Sequence, residues 1–301
     1  LSATLRAYAT SASTLFGGEE LEISSSNLTF HISLLDIDTL NPHEDVLKSA
    51  VESLADAMWT QQVVRDPLII DQKDRVILDG MHRHRALERL KCRFAPCCLV
   101  DYDNPMIKLS SWFRLFTINE PEPLAERLLA ESKLNCKKRR IDVAGLTSAS
   151  DYVFLTSNGI AYSYPADSDA MERARIAIGF ERALTMRGHN VDYLSENEAL
   201  QNLKSRNANF IIALPVFTKE QIRRFGVRRT LLPHKTTRHV MPSRPLRIDI
   251  PLDMLRKEGV SQAEADLQLR ELLSTKQTEM KPPGSMVDGR RYEEELLVFA
   301  G

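Results

Sequence analysis

Ile77-Leu78-Asp79-Gly80-Met81-His82-Arg83-His84-Arg85-Ala86-Leu87 decides the reading of this chain. Arg75 to Leu78 has the composition of a short strand, and Asp79-Gly80 interrupts it. Residues 81 to 91 then read as a helix, with Ala86, Leu87 and Leu90 turned inward. A helix start exposes amides without intrahelical acceptors and the positive end of the macrodipole. This start nevertheless carries His82, Arg83 and Arg85. An anion held between the amides and the guanidinium groups reverses the sign of that conflict, and phosphate suits the bidentate fork of arginine. The alternative is a solvated basic helix start with Arg83 paired to an acid.

Outward from this turn, Pro67 to Ile70 reads as the preceding strand and Cys97 to Val100 as the following one. Phe30 to Leu35 reads as a further strand. Asn41-Pro42-His43-Glu44 reads as the entry to a helix whose Leu47, Val51, Leu54 and Met58 share one face. An acid at such an entry serves as a helix cap or, beside a substrate hydroxyl, as a general base. Beyond residue 150, strands at 153–156, 191–194 and 210–214 alternate with helices at 170–187, 196–205 and 218–225. That rhythm implies a second α/β layer.

The sequence therefore divides into a flexible leader (1–28), a first α+β domain (29–116), a second α/β domain (117–250) and a C-terminal extension (251–301). The fold class expected is α/β (α+β). The extension ends in an apolar stretch, Glu293 to Phe299, readable as an edge strand or a partner contact. Within the second domain lies Lys235-Thr236-Thr237-Arg238-His239, set between Pro233 and Pro242. Residues 219 to 247 hold nine Lys or Arg and one acid. A solvated basic loop is one reading of that segment, and a clamp for a carboxylate and a phosphate is the other.

Composition narrows the function. Forty basic and 41 acidic residues leave a formal net charge of −1, which disfavours nucleic acid held by bulk charge. No apolar run approaches the ~20 residues that cross a bilayer, so no membrane partner is expected. Cys92, Cys97, Cys98 and Cys136 form no C-x-x-C pair, as befits idle thiols in a reducing compartment. Residues 1 to 18 hold no acid, one Arg and six Ser or Thr, the composition of either a transit-peptide remnant or an accidental tail. The expected location is accordingly the cytoplasm or the mitochondrial matrix. Lys137-Lys138-Arg139-Arg140 reads as a solvated basic turn rather than a nuclear signal.

The order of NPHE, DGMHRHRALERL, Ser111-Trp112-Phe113 and HKTTRH resembles the free L-serine kinase family, over about residues 32 to 250. The resemblance implies a ParB/sulfiredoxin-like N-terminal domain and transfer of a phosphoryl group from ATP or ADP to free L-serine. It implies Glu44 as catalytic base and Asp79 as catalytic and as a direct or water-mediated ligand of Mg²⁺. Gly80, Met81, His82 and Arg83 fall at the phosphates. Trp112, Lys235, Thr236, Thr237, Arg238 and His239 fall in the serine pocket. Met81 replaces the histidine often found at its position in the family, and it also replaces the cysteine a sulfiredoxin needs. A ParB-like, nucleotide-dependent DNA-binding or partition-type protein is the alternative, and it requires a helix-turn-helix after the first domain.

Overall fold

The computed structural model describes residues 14–15, 21–24, 28–146 and 148–300, with side chains from residue 28 onward. The chain divides into two compact units. One comprises residues 1–108, 222–231 and 240–301, and the other residues 109–221 and 232–239.

The first unit is built on a six-stranded sheet in the order Thr14–Leu15, Leu21–Ser24, Thr29–Asp36, Phe94–Val100, Leu68–Asp71, Ile77–Asp79. Neighbours are antiparallel except Leu68–Asp71, which runs parallel to Phe94–Val100. Phe94–Val100 is buried along almost its whole length, as an interior strand must be to earn its apolar run. Most of the 1–28 leader lies outside the described residues. Leu21–Ser24 does not behave as a leader: it pairs in register with Thr29–Asp36, Leu21 opposite Ile32.

Two sequence expectations are corrected in this unit. The helix expected to open at Pro42 instead spans Lys48–Gln61, capped by the extended Leu47. Residues 41–44 spend their hydrogen bonds elsewhere. Asn41 N–H donates to the Arg75 carbonyl and Ile77 N–H donates to the Asn41 carbonyl, aligning Asn41 in parallel with Val76. The expected edge strand at the C-terminus is Glu295–Ala300, and it is the middle strand of a three-stranded sheet between Ser243–Leu246 and Gln277–Lys281. Leu296, Leu297, Val298 and Phe299 are all buried. Helix Gln262–Ser274, opened by a Ser261–Glu264 capping box, is tied to the large sheet by Asp266. Asp266 accepts from Leu34 N–H at 2.7 Å and from the Ser33 hydroxyl at 2.8 Å. Residues 251–301 thus belong to the first unit rather than standing apart as an extension.

The second unit holds another six-stranded sheet, ordered Lys137–Arg140, Ile160–Ser163, Tyr152–Thr156, Phe210–Ile212, Phe113–Phe116, Asp192–Leu194. Every neighbouring pair is antiparallel. The alternation of strand and helix therefore describes an α+β unit, not parallel crossovers. Alternate strand residues separate two cores. Phe116, Phe154, Phe210 and Ile212 pack with Ala125, Leu128, Phe180 and Leu184 of helices Pro121–Ser132 and Ala170–Met186. Leu115, Leu155 and Ile211 pack with Ala199, Leu200 and Leu203 of helix Glu196–Lys204. Lys137–Arg140, read from sequence as a basic turn, is an outer strand with all four residues exposed. A sheet thus stands where a ParB-type reader needs its helix-turn-helix.

Candidate functional site

The turn at residue 80 is shaped by its glycine. Gly80 caps helix Met81–Arg89 at φ 101° and ψ 24°, a left-handed conformation costly for any residue with a Cβ. A Cβ there would also lie 2.7 Å from Leu68 Cδ2 and 2.9 Å from the Arg83 guanidinium. Arg83 therefore folds back over the turn because nothing projects from residue 80. The first i−4 bond of the helix runs from His84 N–H to the Gly80 carbonyl, so the amides of Met81, His82 and Arg83 have no acceptor within the helix. Met81 itself is buried, so what it offers an anion is its amide rather than its side chain. His82 Nε2 accepts the amide of Leu47 at 3.2 Å, joining the Gly80 helix to the cap of helix Lys48–Gln61.

Asp79 sits at the strand end immediately before this turn. Its Oδ2 accepts from Arg244 Nη1 at 2.9 Å and from Arg83 Nη2 at 3.1 Å. Packing around the carboxyl opposes ionisation, but the guanidinium groups of Arg244, Arg83 and Arg290 outweigh it and hold Asp79 well below the usual carboxylate range. Arg83 also faces Asp66 at 3.8 Å, and Arg244 is ion-paired to Glu294. The basic helix start is thus partly neutralised by acids, as the second of the two sequence readings had it.

Glu44 does not stand at a helix start. It lies in the extended segment four residues ahead of Lys48, so the helix macrodipole is not what acts on it. The segment is pinned by His43, which is buried and whose Nδ1–H donates to the Ile77 carbonyl at 2.8 Å. Burial lowers the His43 pKa to about 4, against the opposing effect of that hydrogen bond, so the ring is neutral near pH 7.

In the second unit the segment around Lys235 is held by a buried arginine. Arg114, within strand Phe113–Phe116, is wholly buried, and its Nε donates to Glu181 Oε2 at 2.7 Å. Its Nη1 donates to the carbonyls of Trp112 at 2.7 Å and Lys235 at 2.9 Å. The Tyr193 hydroxyl donates to the other Glu181 oxygen and lies 3.2 Å from His234 Nε2. One ion pair thereby fixes Trp112 and the Lys235 backbone together. Lys235, at φ 58°, places its ammonium 4.3 Å from the centroid of the Trp112 ring, and the Arg238 guanidinium lies 5.4 Å from it. An indole face with two cations beside it is suited to a small zwitterion bearing a carboxylate. Thr236 is fully buried, and its hydroxyl donates to the Pro233 carbonyl at 2.6 Å, so it shapes the turn. Thr237 is buried and His239 half-buried.

Sequence reasoning missed Arg114, Glu181, Tyr193, Arg244 and Glu294. Only Arg244 carried a signal, as one of the nine cations between 219 and 247. All four cysteines are free. Burial raises the thiols of Cys92 and Cys136 to about 11 and those of Cys97 and Cys98 further, so none is poised as a nucleophile. Among the described residues no helix is long and apolar enough to cross a membrane.

No family model matches the chain. Its fold is that of two groups of solved proteins. SbnI from Staphylococcus aureus, with its C-terminus truncated, aligns at a TM-score of 0.63 and 15% identity, over 81% of this chain and 96% of that one. A free serine kinase in complex with AMP aligns at a TM-score of 0.58 and 20% identity, over 77% of this chain and 95% of that one. Among curated proteins, the ATP-dependent L-serine kinase of Desulfurococcus mucosus is 28% identical over 236 residues, 74% of this chain and 90% of its own length. The ADP-dependent L-serine kinase of Thermococcus kodakarensis is 22% identical over 233 residues, 73% and 91% of the two chains. The chain is a relative of the free L-serine kinases, as the motif order indicated.

Proposed function

We propose that this protein transfers the terminal phosphoryl group of ATP or ADP to the hydroxyl of free L-serine, forming O-phospho-L-serine. The observation that carries the reading is the pairing of two constructions in one chain similar to L-serine kinases over 74% of its length. One is the acid-flanked glycine turn at residues 79–83, and the other is the cation-bordered indole of Trp112.

In this reading the amides after Gly80, with His82 and Arg83, hold the phosphates. Lys235 and Arg238 hold the serine carboxylate, Trp112 walls the pocket, and Thr237 and His239 complete it. Glu44 takes the proton of the serine hydroxyl as that oxygen attacks the phosphorus. Phosphoryl transfer depends on such positioning and on charge stabilisation more than on covalent help from the protein.

Mg²⁺ belongs to the same reading. Magnesium in such sites is held by one or two carboxylates together with phosphates and water. Asp79 fits that use, because both guanidinium groups sit on Oδ2 and 40% of the side chain remains exposed. When bound, the ion supplies charge neutralisation at the phosphate oxygens.

The test is incubation of the pure protein with Mg²⁺, L-serine and either ATP or ADP, with phosphoserine detected by mass. Product with at least one donor is the expected result. Its absence with both donors overturns the proposal.

A further inference from the structure

Three arginines from distant parts of the sequence gather here: Arg83 and Arg244 donate to the Asp79 carboxylate, and Arg290 shares the Tyr292 ring with Arg244. Two of them are committed to acids. Arg83 is shared between Asp79 and Asp66, at 3.1 and 3.8 Å. Arg244 is shared between Asp79 and Glu294. Arg290 differs: the ion pairs among the described residues give it no carboxylate partner, and its side chain is exposed. Its guanidinium instead rests on the Tyr292 ring, 4.7 Å from the centroid. The Arg244 guanidinium lies 5.9 Å from the centroid of the same ring, so Tyr292 brings Arg290 near the arginine that clamps Asp79.

The segment carrying Arg290 is anchored rather than loose. Met286–Val287 and Arg290–Arg291 form a two-stranded ribbon. Asp288 at its tip accepts from Arg247 at 2.7 Å and faces Arg65 at 3.4 Å. Gly284 N–H donates to the Tyr292 carbonyl at 2.7 Å, and Val287 and Tyr292 are buried with Leu246, Leu296 and Val298. An exposed guanidinium carried on an anchored ribbon, resting on the ring that also borders Arg244, is arranged as an anion ligand.

We propose that Arg290 is a nucleotide-binding residue that contacts the phosphates beyond the first, so that the C-terminal ribbon completes the phosphate end of the site. This rests on the kinase reading for the identity of the anion, and it adds a ligand from a part of the chain outside the motifs of that family.

Calorimetric titration of the full chain with ATP, ADP and AMP tests it, because binding is read without turnover. Arg290→Ala is expected to weaken ATP and ADP about tenfold, as for one lost charge-assisted hydrogen bond, and to leave AMP within about twofold. Arg290→Lys is expected to recover part of the loss, since it keeps the charge without the fork. Unchanged ATP affinity in Arg290→Ala overturns the proposal, as does an equal loss for AMP. Because Arg290 is exposed, the variant should melt with the wild type, which separates lost binding from lost folding. A wild type that binds ATP but makes no phosphoserine overturns the kinase reading alone. A wild type that makes phosphoserine, with an Arg290→Ala variant that binds ATP normally, overturns this inference alone.

Discussion

Arg114 and Glu181 form a salt bridge of 2.7 Å in which the arginine is wholly buried and the glutamate nearly so. A buried pair gains little over an apolar pair of equal volume, but removing one partner strands a charge, at a cost of about 3–5 kcal/mol. Arg114→Met should therefore lower the urea midpoint strongly, and Arg114→Met with Glu181→Leu should lose less than the single variant. A single variant as stable as the wild type would remove the pair from the account of how the Lys235 segment is held.

Gly80→Ala should damage both backbone and site. The left-handed conformation at φ 101° is strained for alanine by roughly 1 kcal/mol or more. The new methyl also meets Leu68 and the Arg83 guanidinium, so Arg83 must leave its place over the turn. Expected are a lower melting temperature and weaker ATP binding by calorimetry. Wild-type ATP affinity in a folded Gly80→Ala protein would exclude Arg83, in its folded-back position, from phosphate binding.

How far the sequence discloses the molecule depends on how local each feature is. The strand, glycine turn and helix around residue 80 were legible because every determinant lies within a dozen residues. The helix entry at Pro42 was misplaced because a long-range pairing with residues 75–77 takes the backbone bonds that a helix would have used. Glu295–Ala300 was legible as apolar, but its interior position depends on partners at Ser243–Leu246 and Gln277–Lys281. Arg114 reads as one cation in an apolar strand, and the acid that justifies its burial is 67 residues away. The proposed site residues come from the resemblance, whereas the residues that brace them, Arg244 and Glu294 among them, had no local pattern to announce them.

His43 makes stability pH-dependent. Its pKa is 6.5 when unconstrained and about 4 in the folded protein, lowered by burial. The unfolded chain therefore binds the proton first as pH falls, and folding stability contributed by the neutral ring is full above about 6.5 and lost progressively down to about 4. A shift of this size corresponds to up to about 3 kcal/mol across that window. Denaturation midpoints measured at pH 7 and pH 5 should differ in the wild type and differ less in His43→Asn. Equal pH slopes in the two proteins would show that another group dominates this window.

Base and pocket are separable by kinetics. Glu44→Gln keeps the shape of the side chain and removes its capacity to accept a proton, so turnover should fall by about 10²–10⁴ while ATP affinity holds. Lys235→Met keeps much of the volume over Trp112 and removes the charge, so it should raise KM for serine with a smaller change in kcat, because the proposed carboxylate contact would be made in ground and transition states alike. The two patterns are not interchangeable. If Glu44→Gln raised only KM, the glutamate would be a binding group and the proton would need another acceptor. If Lys235→Met instead lowered kcat alone, the cation would act on the reacting phosphoryl group rather than on the amino acid.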